Sequence, residues 1–377
     1  MHIGILGGMM DPIHIGHMNA ARAALRAGMD TVLIAPCQAP AHRAAPVAPA
    51  EARVDMCRLA TAKENKIKVS TVDLREGPCY TADTIRILQD QYPGAELWWI
   101  IGADKLPTLP RWRDKEYLFA HCGFLVCPRT FSDMSIQVPD ARIRILDAEA
   151  ITASSGQVVA ALHTYHDAAD LLPHDVSRYI ALHGLYQPDF MSALSRFGLS
   201  GSRIQHTLGV RETAVDLADR FGARMQAAAV AAMLHDIAKA MPLTEMQDVA
   251  RRWDLALPDE ILESGNLLHG PAGAAIAEHE LGILDPEILS AIACHTVGKP
   301  GMSKLEKILF IADAIEPNRR PYPGLEELRQ LVQTDLDAAV LASMRRTREY
   351  VLSKGGRFCT ITEAAMQELA AQKEENA

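Results

Sequence analysis

The chain has 377 residues, more than one typical hydrophobic core accommodates and a length that suits two domains. Its 49% apolar and 23% charged residues are ordinary for a soluble globular protein. A net charge of −9 argues against a general nucleic-acid binder.

The N-terminus runs Met1-His2-Ile3-Gly4-Ile5-Leu6 straight into a glycine turn. This reads as a first strand rather than a signal peptide, and no apolar run is long enough to span a bilayer. Short apolar runs at Ile3–Leu6, Val32–Ala35, Ile67–Val69, Leu97–Ile101, Phe124–Cys127 and Ile143–Leu146 predict strands. Between them, His17–Ala27, Ala50–Glu64 and Thr81–Tyr92 predict helices. Alternation of this kind predicts an α/β, doubly wound parallel sheet, with ligands beyond the carboxyl ends of its strands. From Ala193 onward apolar residues recur at helical spacing only, so the second half reads as all-α. The change falls at residues 188–192, read as a linker between domains at 1–187 and 193–370. The charged tail 371–377 reads as frayed. Seven cysteines without a C-x-x-C pair suit a reducing cytosol, where thiols stay free.

Two stretches carry phosphate chemistry. After the first strand stands Gly7-Gly8-Met9-Met10-Asp11-Pro12-Ile13-His14-Ile15-Gly16-His17. Gly7 and Gly8 let backbone N–H groups approach a phosphate, and the following helix offers its positive end. His14 and His17, three apart, fall on one face of that helix start, where imidazoles can stabilise charge developing on a phosphate. Far downstream, His235-Asp236 ends the apolar run Ala227–Leu234, and Asp313 interrupts Ile308–Ile315. Such groups are costly to bury without partners; for His235-Asp236 a metal is the natural compensation, and Asp313 suggests a ligand or a buried ion pair.

The first motif resembles the H-x-G-H nucleotidyltransferases, and more closely the bacterial nicotinate mononucleotide adenylyltransferases, over about residues 1–187. Further matching segments are Pro40-Ala41-His42-Arg43, Tyr80-Thr81-Ala82-Asp83-Thr84, Trp99-Ile100-Ile101-Gly102-Ala103-Asp104 and Leu109-Pro110-Arg111-Trp112-Arg113. The resemblance implies attack of the nicotinate mononucleotide phosphate on the α-phosphate of ATP, with Mg2+ riding on the triphosphate. It makes His14 and His17 catalytic. Gly7, Gly8, His42, Arg43, Thr81, Gly102, Asp104, Trp112, Ser154 and Ser155 become nucleotide-binding, with Trp112 stacking on the pyridine ring. One departure stands out. The family's Ser-Ser-Thr-x-Ile-Arg is here Ser154-Ser155-Gly156-Gln157-Val158-Val159, so Val159 replaces an arginine on the triphosphate. Loss of such a donor costs roughly 2–4 kcal/mol in the transition state. A rival expectation therefore leaves only the second half active, with the first a nucleotide-binding sensor or assembly module.

Over about residues 195–365 the chain resembles the HD phosphohydrolases. It matches their YqeK-type branch, which cleaves diadenosine tetraphosphate symmetrically, through Arg203–His206, His235–Lys239, Leu268–Pro271, His295–Gly298 and Ala312–Arg319. The resemblance implies a metal site of His206, His235, Asp236, His269, His295 and Asp313, holding two divalent or trivalent metals, in this branch iron. Arg203, Lys239 and Arg319 would bind the polyphosphate. The rival here is a nucleotidase or cyclic-dinucleotide phosphodiesterase. Small nucleotides are the expected partners, with no nucleic acid and no membrane, in the cytoplasm.

Overall fold

The computed structural model describes residues 1–40, 44–129, 137–149 and 153–375. The described chain forms two compact units. One comprises residues 1–162 with 168–179, and the other residues 163–167 with 180–377.

The N-terminal unit is built on six parallel strands: β1 (His2–Gly8), β2 (Thr31–Pro36), β3 (Ile67–Val69), β4 (Glu96–Gly102), β5 (Cys122–Cys127) and β6 (Ile143–Ile145). Their order is β3-β2-β1-β4-β5-β6, with Ile3 beside Thr31 on one flank and Leu97 on the other. Both faces are covered, which is why the central strands read as apolar runs: all six residues of β5 are buried. The strand order reverses between β1 and β4, and the crevice beyond their carboxyl ends is where such sheets take ligands. Every predicted strand and helix of this half is present. Gly7 lies here for a packing reason as well as an electrostatic one, since a Cβ on it would come 2.3 Å from the Trp99 ring of β4.

The C-terminal unit is all helix. Helix Met225–Leu234 is buried at all ten positions and forms its axis. Helices Gly201–Phe221, Gly265–His279, Pro286–Cys294 and Lys304–Ile315 share one apolar core with it. No described helix is long and apolar enough to cross a membrane, and all seven cysteines are free thiols.

Two local expectations differ from the structure. Residues 188–192, read as a linker, run into a helix. Asp189 caps helix Phe190–Arg196 by accepting from the Ser192 N–H at 3.1 Å, and Phe190 and Leu194 are buried in the C-terminal core. The compact units accordingly divide at residue 179 rather than 187. At the other end, helix Thr360–Glu375 continues through most of the expected frayed tail. Lys373 Nζ lies 2.6 Å from Asp335 Oδ2, and that ion pair helps hold the last turns.

Candidate active sites

His14 is the N-cap of helix Ile15–Arg26, in extended backbone conformation, and His17 occupies the third helical position. Their ring centroids lie 3.8 Å apart. The His14 backbone N–H donates to His17 Nδ1 at 3.2 Å. A ring nitrogen that accepts a hydrogen bond carries no proton, so the neutral His17 ring keeps its proton on Nε2 and presents a donor. Burial pushes His14 down to about 4, helped by the Arg129 guanidinium. Burial, His14 and Arg129 push His17 well below its ordinary value. Both rings are therefore neutral hydrogen-bond donors at neutral pH rather than cations. The buried His14 Nδ1 has no hydrogen-bond partner among the described residues.

A small pocket opens beside them, lined among others by His14, Gly16, His17, Gly102 and Arg129. Arg129 lies two residues beyond the end of β5, with Nε 3.1 Å from Asp104 Oδ1. Gly102 makes that pair possible, because a Cβ there would come 2.4 Å from Asp104 Oδ1 and 2.6 Å from Arg129 Nε. Asp104 also meets Lys105 Nζ at 2.9 Å. The loop that precedes His14 is fixed by buried Arg53, which donates to the carbonyls of Met9 (2.6 Å), Cys37 (2.7 Å) and Ala48 (3.1 Å). Asp11 secures the same loop by accepting from the Val47 and Ala48 N–H groups.

Ser154 and Ser155 open helix Ser155–His163. Ser154 Oγ and Gln157 exchange hydrogen bonds across its first turn, a capping arrangement, while Ser155 Oγ donates to Pro12 O at 3.4 Å. That bond ties the helix start to the histidine loop. Val159, where the resemblance expects an arginine, is half-buried. Thr81 opens helix Thr81–Gln91. The Trp112 indole N–H donates to Thr108 Oγ1 at 3.1 Å, and its ring meets Phe124 edge-on, so part of the indole is spent on packing. His42 and Arg43 lie outside the described residues.

In the C-terminal unit the helix core brings the six sequence-predicted ligands together. His206 comes from helix Gly201–Phe221, His269 from Gly265–His279 and Asp313 from Lys304–Ile315. His235 and His295 each follow directly on a helix end. Asp236 faces two ways. Its Oδ1 lies 3.1 Å from His269 Nε2 and 3.8 Å from His295 Nε2, and its Oδ2 lies 3.5 Å from His235 Nε2 and 3.8 Å from His206 Nε2. Asp313 Oδ1 approaches His206 Nε2 at 3.0 Å. Two triads have ligand atoms within 4.8 Å of one another, His206–His235–Asp313 and His235–Asp236–His295. The buried Nε2 atoms of His206 and His235 lack hydrogen-bond partners.

The two carboxylates are held ionised, which suits cation binding. Burial alone would raise the Asp236 carboxyl, but the His235, His269 and His295 rings gathered around it hold it far below the usual carboxylate range. Asp313 is likewise held down against its burial by His206, His235 and Arg319. Burial pushes His269 down to about 4. Ionised carboxylates converging with four imidazoles, with the orphaned Nε2 atoms of His206 and His235 facing them, fit a transition-metal centre. The three expected cations stand on the rim. Arg203 Nη1 lies 2.8 Å from Asp236 Oδ2, Arg319 Nη1 3.4 Å from Asp313 Oδ1, and Lys239 Nζ 3.3 Å from His269 Nδ1.

These geometries meet their counterparts among known proteins. A cytidylyltransferase-like family model matches residues 5–206, and an HD-domain model matches residues 203–318. The chain belongs to the cytidylyltransferase-like family, with an HD domain behind it. A Mycoplasma pneumoniae protein named "Probable nicotinate-nucleotide adenylyltransferase/Ap4A hydrolase" is 30% identical over 317 residues, covering 84% of this chain and 88% of that one. A Halalkalibacterium halodurans protein named "Bis(5'-nucleosyl)-tetraphosphatase, symmetrical" is 46% identical over 156 residues, covering 41% of this chain and 82% of that one. A Neisseria meningitidis protein named "Probable nicotinate-nucleotide adenylyltransferase" is 38% identical over 199 residues, covering 49% of this chain and 98% of that one.

Within this cytidylyltransferase-like and HD chain, sequence reasoning missed Arg53, Arg129 and Glu316. Arg129 had one usable signal, its place just past the carboxyl end of a strand. Arg53 looks like a surface residue of an amphipathic helix, and no sequence pattern reveals that its guanidinium is buried against carbonyls. Glu316 accepts from His206 Nδ1 at 3.1 Å and lay unassigned inside a matching motif.

Proposed function

We propose that the chain is a bifunctional enzyme. Its N-terminal unit joins the 5′-phosphate of nicotinate mononucleotide to the α-phosphate of ATP, releasing pyrophosphate and nicotinate adenine dinucleotide. The observation that carries this is the placement of His14, His17 and Arg129 around one pocket at the point where the strand order reverses. His17 Nε2–H and the Arg129 guanidinium stabilise charge on the leaving pyrophosphate, with Mg2+ accompanying the ATP. Gly7, Gly8, Thr81, Gly102, Asp104, Trp112, Ser154 and Ser155, with His42 and Arg43, complete the nucleotide site. Arg129 supplies a cation in a site where the family arginine is Val159, which favours an active transferase over a sensor or assembly module.

The C-terminal unit adds water across diadenosine tetraphosphate and releases two ADP. The observation that carries this is the two-sided Asp236, with histidines on both of its oxygens. His206, His235, Asp236, His269, His295 and Asp313 hold two metals, iron in our reading, which supply a Lewis acid and an activated water. Arg203, Lys239 and Arg319 grip the phosphate chain. Nucleotide substrates and free thiols support a cytoplasmic location.

A purified sample tests both halves. Incubation with ATP and nicotinate mononucleotide yields pyrophosphate and the dinucleotide, and diadenosine tetraphosphate yields ADP alone. Hydrolysis without pyrophosphate release would favour the sensor reading. ATP plus AMP as hydrolysis products would overturn the symmetrical cut, and turnover only of mononucleotides or cyclic dinucleotides would replace the hydrolase assignment.

A further inference from the structure

We propose that Glu316 is a positioning residue of the metal centre, holding His206 by Nδ1 so that its Nε2 faces Asp313 and Asp236. A metal-binding imidazole needs its other nitrogen tethered, which fixes both tautomer and ring orientation. His235 and His295 solve this locally. Each follows a helix end and sets Nδ1 on the carbonyl three residues back, Ala232 O at 2.7 Å and Ile292 O at 2.8 Å. His206 lies inside helix Gly201–Phe221, where nearby carbonyls are committed to the helix ladder. Its acceptor comes instead from a residue 110 positions away, Glu316 Oε1 at 3.1 Å.

The surroundings are built for that carboxylate. Glu316 follows helix Lys304–Ile315, which carries Asp313, so one element supplies both a ligand and the tether of its neighbour. It is 1% exposed. Its Oε2 accepts from the Asn318 N–H at 2.6 Å. Gly209, one turn beyond His206, makes room: a Cβ there would come 2.4 Å from Glu316 Oε2. Glycine inside a helix costs roughly 1 kcal/mol relative to alanine, so the helix gives up local stability to admit the carboxylate. With a proton on Nδ1, the Nε2 lone pair points at Asp313 Oδ1 3.0 Å away and Asp236 Oδ2 3.8 Å away. Lone pair facing carboxylate is repulsive unless a metal ion or a proton lies between them, and the tethered neutral ring leaves that place to the metal. Glu316 therefore selects the tautomer that binds metal and fixes the orientation of that ring.

The inference rests on the metal-centre reading above, and one experiment separates the two. Full-length wild type, E316Q and E316A are stripped of metal and titrated with Co2+ against a competing chelator, following the ligand-field bands, with thermal melting as a control for folding. Wild type should bind Co2+, and E316A should bind it roughly ten- to hundredfold more weakly. E316Q should fall between, because its amide can accept from only one of the two N–H groups. At saturating Co2+, both variants should regain full stoichiometry and most hydrolysis. If E316A does not fold, the near-isosteric E316Q is read alone. Affinity within twofold of wild type would overturn the role of Glu316, as would weakened hydrolysis that saturating metal does not restore. Absence of Co2+ binding by wild type would overturn the metal centre itself.

Discussion

The two sites use the same side chain in opposite senses. At the N-terminal site, His17 Nδ1 accepts a backbone N–H, so Nε2 carries the proton and can only donate. At the C-terminal site, the Nδ1 atoms of His206, His235 and His295 face a carboxylate or carbonyls, so in the neutral ring Nε2 carries the lone pair and accepts. A donor suits a phosphate oxygen and an acceptor suits a metal. The surroundings agree. His14 and His17 have Arg129 beside them, whereas the C-terminal histidines converge on Asp236 and Asp313. Among the described residues, the groups able to hold a metal ion all lie in the C-terminal unit. What faces Nδ1 thus decides which chemistry an imidazole performs.

Substituting Asp236 with Ala tests that contrast most severely. Both oxygens face histidines, so its loss opens the whole centre. Bound metal should fall sharply and hydrolysis by roughly a hundredfold or more, while adenylyl transfer persists. Elemental analysis beside the two assays reads this out, and a full metal complement in D236A would show that the centre lies elsewhere.

The mirror-image substitution is His17→Ala. Removing one preorganised donor from the developing pyrophosphate should slow transfer by roughly 10²–10³-fold, with hydrolysis and metal content unchanged. Pyrophosphate release at wild-type rate would remove His17 from the mechanism.

A smaller effect is expected for Arg129→Ala. A charge-assisted hydrogen bond contributes about 1.5–3 kcal/mol, so kcat/KM for ATP should drop about tenfold or more. The same variant should release His14 and His17 from a neighbouring positive charge, and their proton affinities, followed by NMR, should rise. Unchanged ATP kinetics would mean that another cation serves the triphosphate.

The subtlest consequence concerns pH. Folded His14 titrates at about 4 against an ordinary 6.5. Between those values the unfolded chain binds more protons, so acidification favours unfolding. The stabilisation from neutral His14 is complete above pH 6.5 and is lost as pH falls toward 4. Melting of the N-terminal unit should therefore decline less steeply over this range in H14Q than in wild type. Parallel acid curves would show that His14 is not held neutral by the fold.

Much of this was legible in the chain. The glycine turn and the H-x-G-H spacing are local, because helix geometry places residues three apart side by side whatever packs around them. The strands were legible because burial on both faces leaves continuous apolar runs. His235-Asp236 stood out because charged groups seldom end a wholly apolar helix. Pro188 and Asp189 look like a break in the sequence, whereas in the structure Asp189 is a helix cap and Phe190 a core residue. Trp112 was read for its flat face, but its N–H and one edge are taken up by Thr108 and Phe124.

The amino-acid sequence by itself determined the strand and helix periods, the two-part division and the ligand-bearing motifs, since each depends on neighbours within a few positions. Only tertiary structure decided which nitrogen of each histidine is free. It also decided that Arg129 stands by the paired imidazoles, that Arg53 clamps their loop, and that Glu316 reaches His206 from 110 residues away. Those outcomes depend on burial and on contacts between distant segments, and a tautomer or a shifted proton affinity is a property of such surroundings rather than of any residue's identity.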